Sequence, residues 1–174
     1  MKAIYKKELQ SYFHSFLGPL FIGAFLLLLG IYFAVYDLFM GYPYIGYALS
    51  SVTFLFLIAI PVLCMKILAE ERHQKTDQLI LTSPVSVTGI VLGKFLALAT
   101  IFAIPVGLVS LYPVVMSFFG TVDIGKSYLA VFGFLLYGLA SIAVCVFISS
   151  LTESQVIAAV LTFVLLFAFY MMNG

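Results

Sequence analysis

The sequence predicts an all-α fold, a polytopic bundle of five transmembrane helices, and three observations carry that prediction. Five apolar stretches, roughly residues 16–36, 45–65, 90–118, 128–150 and 156–172, are separated by short polar breaks. Each is long enough for a helix to cross a hydrocarbon layer ~30 Å thick. The eight basic and seven acidic side chains all lie in or beside a break. The chain is 64% hydrophobic and only 9% charged, a composition foreign to a soluble domain. Spans must pair their backbone groups internally, so helices and closed barrels are the two options. Barrel strands alternate apolar and polar residues, and neither Leu26-Leu27-Leu28-Leu29 nor Val164-Leu165-Leu166-Phe167 does. Residues 1–174 therefore read as a single membrane domain.

In residues 1–15 and just beyond, Tyr5, Leu9, Tyr12, Phe13 and Phe16 recur at helical spacing, with Lys2, Lys6 and Gln10 elsewhere on the wheel. This predicts a short amphipathic helix lying in the interface among membrane lipids; the alternative is an extension of the first span into water. The basic start resembles a signal peptide, but the apolar run is about 20 residues and no small-x-small site follows, so an uncleaved first span is expected. Lys2, Lys6 and Lys7 precede that span, while Lys66, Arg72 and Lys75 fill the second break and Lys94 lies just inside the third span. The first break holds no basic residue and the third only Lys126. The positive-inside rule then places the N-terminus in the cytoplasm and the C-terminus outside. Tyr32, Tyr36, Tyr42, Tyr44, Tyr47, Tyr112, Tyr128 and Tyr170 gather near the outer interface as an aromatic belt.

The cytoplasmic loop, residues 66–86, is the most polar part of the chain. Glu70 through Gln78 are charged or polar, and Leu79-Ile80-Leu81 are apolar again. Thr76 can cap a short helix, with Asp77 favourable at its positive end, and Thr82-Ser83-Pro84 closes it. Ser86 can cap the helix that follows. The apolar tip either meets a partner below the membrane or tucks into the interface. In the third span Pro105 and Pro113, with Gly107 between them, predict a kink or break, and Pro61 does the same near the end of the second. Gly89, Gly93 and Ala97 repeat at four-residue spacing, a small-residue face for close helix packing.

Most catalytic chemistries are missing from the sequence. Gly120-Thr121-Val122-Asp123-Ile124-Gly125-Lys126-Ser127 matches G-x-x-x-x-G-K-[ST], but a phosphate-binding loop follows a buried strand, and this one follows a membrane span. A glycine-rich turn between spans is the expectation. No H-E-x-x-H or G-x-S-x-G pattern occurs, and His14 and His73 both lie outside the spans. Cys64 and Cys145 fall near cytoplasmic helix ends, where reduced thiols are expected, and their spacing fits no metal site. Charge also avoids the helix cores: Asp37, Asp123 and Lys126 are placed outside, and Lys66, Lys94 and Glu153 at cytoplasmic ends, where long side chains snorkel. An ion-coupled carrier keeps ionisable groups near the midplane, so that reading is disfavoured and energy is expected from a partner.

The segment Glu70-Glu71-Arg72-His73-Gln74-Lys75-Thr76-Asp77-Gln78-Leu79-Ile80-Leu81-Thr82-Ser83-Pro84, followed by Val91-Leu92-Gly93-Lys94-Phe95-Leu96-Ala97, resembles the first cytoplasmic loop of ABC-2 type transporter permeases. The gliding-motility and nitrous-oxide-reductase-accessory branch is the most similar. Ser149–Ala159 is similar to the junction of the fourth and fifth spans in that group, and Lys6-Lys7-Glu8-Leu9 fits its opening. The resemblance implies a permease subunit with no ATPase site and no cofactor of its own, ATP being bound by a separate cytoplasmic ABC ATPase. It implies a coupling helix of Thr76, Asp77, Gln78, Leu79, Ile80, Leu81 and Thr82 docked on that ATPase, with Glu70, Glu71 and Arg72 as its stalk. The helix before Phe16 becomes the interfacial connecting helix. A second permease copy completes a homo- or heterodimer in the bacterial cytoplasmic membrane, and nucleic acid is not a partner. The family typically has six spans, and this sequence departs from it by stopping at Gly174, just after the fifth, so the sixth span is expected to be lacking. A non-transporting membrane scaffold or assembly subunit of an envelope machine is the rival reading.

Overall fold

The computed structural model describes residues 2–42, 44–64, 87–118, 122–152 and 154–172, and all regular structure among them is helical. Helix α1 (Lys2–His14) turns into α2 (Leu17–Phe33), which continues as a π-helical segment over Ala34–Phe39. Then follow α3 (Gly46–Cys64), α4 (Val87–Val109), α5 (Tyr112–Ser117), α6 (Ile124–Leu151) and α7 (Gln155–Met172). Five stretches are long and apolar enough to cross a membrane: Leu17–Phe39, Gly46–Cys64, Thr88–Ser117, Ile124–Leu151 and Gln155–Met172. The all-α polytopic bundle that hydropathy predicts is the fold observed.

Local chemistry explains where the spans bend and end. Pro61 and Pro105 lie inside α3 and α4 without ending them. The third span instead breaks at Ser110–Leu111, and Pro113 sits at the start of α5, where a backbone N–H has no helical partner to lose. The fourth span starts at Ile124, four residues before its apolar run, because Asp123 caps it: Asp123 Oδ1 accepts a hydrogen bond from the Lys126 backbone N–H at 3.2 Å. The Lys126 ammonium also pairs with Asp123 at 2.7 Å and holds its carboxyl below the usual carboxylate range. The phosphate-loop look-alike thus ends in the first turn of a membrane helix, with its lysine turned onto its own cap.

Aromatic rings knit the bundle together. Phe56 of α3 packs edge-on against Phe25 of α2 (4.7 Å between ring centres), Phe134 of α6 (5.2 Å) and Phe102 of α4 (5.5 Å). Helix α7 adds Ala158, Thr162 and Leu166 to the interior and leaves its other faces exposed. Lipid tails are as apolar as these side chains, so close packing rather than water exclusion holds such helices together. At the end of the bundle away from Cys64 and Val87, rings cluster again: Tyr32 on Tyr36 (6.1 Å), Tyr42 on Tyr47 (4.9 Å) and Tyr112 on Phe33 (4.5 Å).

Two charges depart from their expected places. Asp37, expected in the first break, lies in the π-helical end of the first span, 7% exposed, with neither carboxylate oxygen hydrogen-bonded. The helix outlasts the apolar run by three residues, and this carries the carboxylate inward. Lys94, expected to snorkel, is 1% exposed because α1 covers it. The helix cores are therefore not free of charge, although the two buried charges sit towards opposite ends of the bundle.

Candidate functional site

Helix α3 is described as far as Cys64 and α4 from Val87 onward, on either side of the polar loop. Glu70, Glu71 and Arg72 of the expected stalk, and Thr76, Asp77, Gln78, Leu79, Ile80, Leu81 and Thr82 of the expected coupling helix, lie outside the described residues. The two roots of the loop are described, and α1 is attached to both.

At the first root, Tyr12 is buried and its hydroxyl donates to the Leu63 carbonyl at 3.2 Å. A tyrosine hydroxyl buried in a bundle needs an acceptor, and the Leu63 carbonyl supplies it from α3. At the second root, Gly93 of α4 lies under α1: a Cβ there would stand 3.1 Å from Ile4 Cγ2 and 3.5 Å from the Tyr5 backbone nitrogen. Closeness at this point brings polar groups into register on either side. Lys94 Nζ lies 3.4 Å from Glu8 Oε1, with the two side chains 1% and 12% exposed, and Lys94 has a further polar or electrostatic partner. One helical turn on, the Tyr5 and Thr100 hydroxyls are 3.1 Å apart. Thr100 already donates to the Leu96 carbonyl at 2.8 Å, so Tyr5 is the donor between them.

Ile4, Tyr5, Glu8 and Tyr12 share one face of α1, the spacing of a helix that lies along a neighbour. The apolar stripe expected to meet lipid is therefore divided. Tyr12 faces the core and Leu9 packs against it, whereas Phe13 and Phe16 remain exposed. The flank of the bundle wins the first set because it offers partners for Glu8 and both tyrosine hydroxyls, which lipid cannot. Of the small residues in α4, Gly93 meets α1, Ala97 is buried in the core and Gly89 is half-buried.

Glu8, Tyr5 and Tyr12 were not singled out by sequence as contacts of this site. A signal for them existed: Lys94 is a lone charge inside an apolar stretch, and such a charge needs a partner. Glu8 is the acid nearest the N-terminus, yet it is 86 residues away in sequence, and no local pattern links the two.

The opposite end of the bundle carries an open cavity of about 710 Å³ between α3, α6 and α7. Tyr44, Ser50, Thr53, Tyr137 and Tyr170 supply its polar lining. Ser50 and Thr53 spend their hydroxyl protons on the Tyr47 and Leu49 carbonyls of their own helix, which leaves aromatic rings as the main surface. Among the described residues no group of histidines, cysteines and carboxylates is arranged to hold a metal ion.

Comparison with known proteins gives one match. The family described as ABC-2 family transporter protein covers residues 32–173, from the end of the first span through the fifth. No curated protein and no solved structure matches the chain. A match over most of the length, on a chain with five membrane-spanning helices and a polar loop between the second and third, leads to one conclusion: the protein belongs to the ABC-2 family of transporters, as a multi-pass permease component.

Proposed function

We propose that this chain is the permease subunit of an ATP-driven ABC-2 exporter, in which a separate cytoplasmic ATPase docks on the 66–86 loop and drives substrate through a pair of permease copies. The observation that carries this reading is the double attachment of α1 at the loop's two roots. A push on the loop reaches the bundle through α3 and α4. The bond from Tyr12 to Leu63 and the Glu8–Lys94 pair tie both ends to one helix, so the roots move together. The coupling helix Thr76–Thr82 presents Leu79, Ile80 and Leu81 to the ATPase, on the stalk of Glu70, Glu71 and Arg72. ATP is bound and hydrolysed by that partner alone, and no cofactor is held here. The N-terminus and the loop face the cytoplasm of a bacterial cell and the C-terminus faces outside. Its loop sequence supports assignment to the gliding-motility and nitrous-oxide-reductase-accessory branch, which it resembles.

Asp37 and Lys94 lie towards opposite ends of the bundle, with no buried charge between them among the described residues. A relay of ionisable groups through the midplane is the usual mark of an ion-coupled carrier, and its absence from the described core favours an external power source. The test is co-purification. A soluble ABC ATPase copurifies with the wild-type protein, and Leu79→Asp abolishes the association while membrane insertion stays normal. Retained association in that variant refutes the docking assignment. ATP turnover by the complex without movement of any substrate refutes transport and leaves the scaffold reading.

A further inference from the structure

We propose that the cavity at the end of the bundle away from the 66–86 loop is a binding site for a lipophilic organic cation, a quaternary ammonium or phosphonium group with apolar arms. The cavity is open, holds about 710 Å³ and lies between α3, α6 and α7. Sites of ~300–1,000 Å³ are the size that takes a small molecule. Five rings line it, those of Tyr44, Phe134, Tyr137, Phe169 and Tyr170. Two glycines shape the space. A Cβ at Gly46 would overlap the Tyr44 ring, so the missing side chain lets that ring lie over the start of α3. Gly133 of α6 also lines the cavity, and a Cβ there would meet no atom within 4 Å.

The lining selects by charge. Helices α3 and α7 contain no charged residue, and α6 contains only Lys126. That lysine lies two turns before Gly133 and is paired with Asp123 at 2.7 Å. An anion therefore finds no free positive group in the wall. Ser50 donates to the Tyr47 carbonyl at 2.9 Å and Thr53 to the Leu49 carbonyl at 2.9 Å, so both hydroxyls keep lone pairs to offer and no proton. Aromatic faces are the negative side of the ring quadrupole and attract a cation held within about 6 Å of the ring centre. Among the described residues no carboxylate lines the cavity, so a strongly hydrated metal ion or primary ammonium would lose its water without repayment. A quaternary ammonium or phosphonium group holds water weakly and loses little, and Leu49 and Met172 give its arms apolar contact. That such a cation is a substrate rests on the permease reading; that it binds does not.

The experiment measures tetraphenylphosphonium binding to the full chain in lipid nanodiscs by equilibrium dialysis, with empty nanodiscs giving the lipid background. Saturable binding above that background is expected, and benzyltrimethylammonium competes for it. Tetraphenylborate, the anion of the same shape, is measured alone and is expected to show no binding above background. Gly133→Leu fills the open space without meeting a neighbour at its Cβ, so it is expected to abolish binding in a folded protein. Tyr137→Leu and Tyr170→Leu remove ring faces and weaken binding about 3–30-fold each, whereas Tyr137→Phe and Tyr170→Phe bind like the wild type. The glycine and tyrosine variants read the same site independently. Binding no greater than in empty nanodiscs, equal binding of tetraphenylborate, or wild-type affinity in Gly133→Leu or in both leucine variants of the tyrosines each overturns the proposal. No ATPase enters the measurement, so failure here leaves the docking of the 66–86 loop standing. Leu79→Asp, which tests docking, leaves cation binding unchanged.

Discussion

Removing the charges of the Glu8–Lys94 pair one at a time separates its energetic contribution from that of the packing around it. At 3.4 Å and an effective dielectric near 20, the pair attracts by about 5 kcal/mol. Burying Lys94 to 1% exposure opposes this with a desolvation cost of several kcal/mol. A double-mutant cycle cancels each partner's own desolvation and reads the coupling alone, which water reaching Glu8 screens to an expected value of about 1–3 kcal/mol. The single variants should differ. Lys94→Met keeps the length of the stem and leaves Glu8, itself 12% exposed, able to draw on water; it is expected to cost about 1 kcal/mol. Glu8→Gln leaves an ammonium under α1, so it costs more, up to ~3 kcal/mol, reduced by the other partner of Lys94. The double variant should cost less than the two singles combined. The chain has no tryptophan, but Cys64 and Cys145 are buried, so a thiol-reactive dye reports opening of the bundle on heating. Single effects that add within ~0.5 kcal/mol refute the reasoning, because they mean that the ion pair contributes nothing to holding α1.

Two further outcomes follow from the core. A Cβ at Gly138 would overlap the Phe102 ring, which is fully buried and packed between Phe56 and Phe134. Gly138→Ala gains about 1 kcal/mol of helix propensity and loses about 1–3 kcal/mol to overpacking, so it lowers the melting temperature, and Phe102→Leu in the same chain restores it. Asp37→Leu removes two buried oxygens that have no partner and is expected to stabilise the bundle by about 1–3 kcal/mol in the same dye assay; a loss of stability refutes the reading that its burial is unfavourable.

The ends of the elements show why sequence reading succeeded in some places and failed in others. Hydropathy located all five spans because each is set by the local balance of apolar side chains and lipid. It missed the extension to Phe39 because Asp37 interrupts the apolar run, whereas the π-helical segment keeps the backbone bonds closed through it. It placed the start of the fourth span late because Asp123 and Lys126 look like loop residues until one caps the other's helix. The stripe on α1 was visible as a stripe, but whether it meets lipid or protein depends on which surface lies beside it.

The sequence by itself determined the class of this protein, the number of its membrane crossings and the kinship of its polar loop. Those properties are written in runs of neighbouring residues, whose transfer into lipid does not depend on the rest of the chain. Only the tertiary structure decided that Lys94 is covered and paired with Glu8 rather than extended, and that Tyr12 reaches the Leu63 carbonyl from 51 residues away. A buried polar group must find a partner wherever the fold supplies one, and the helices that supply it here are brought alongside by packing, not by order in the chain.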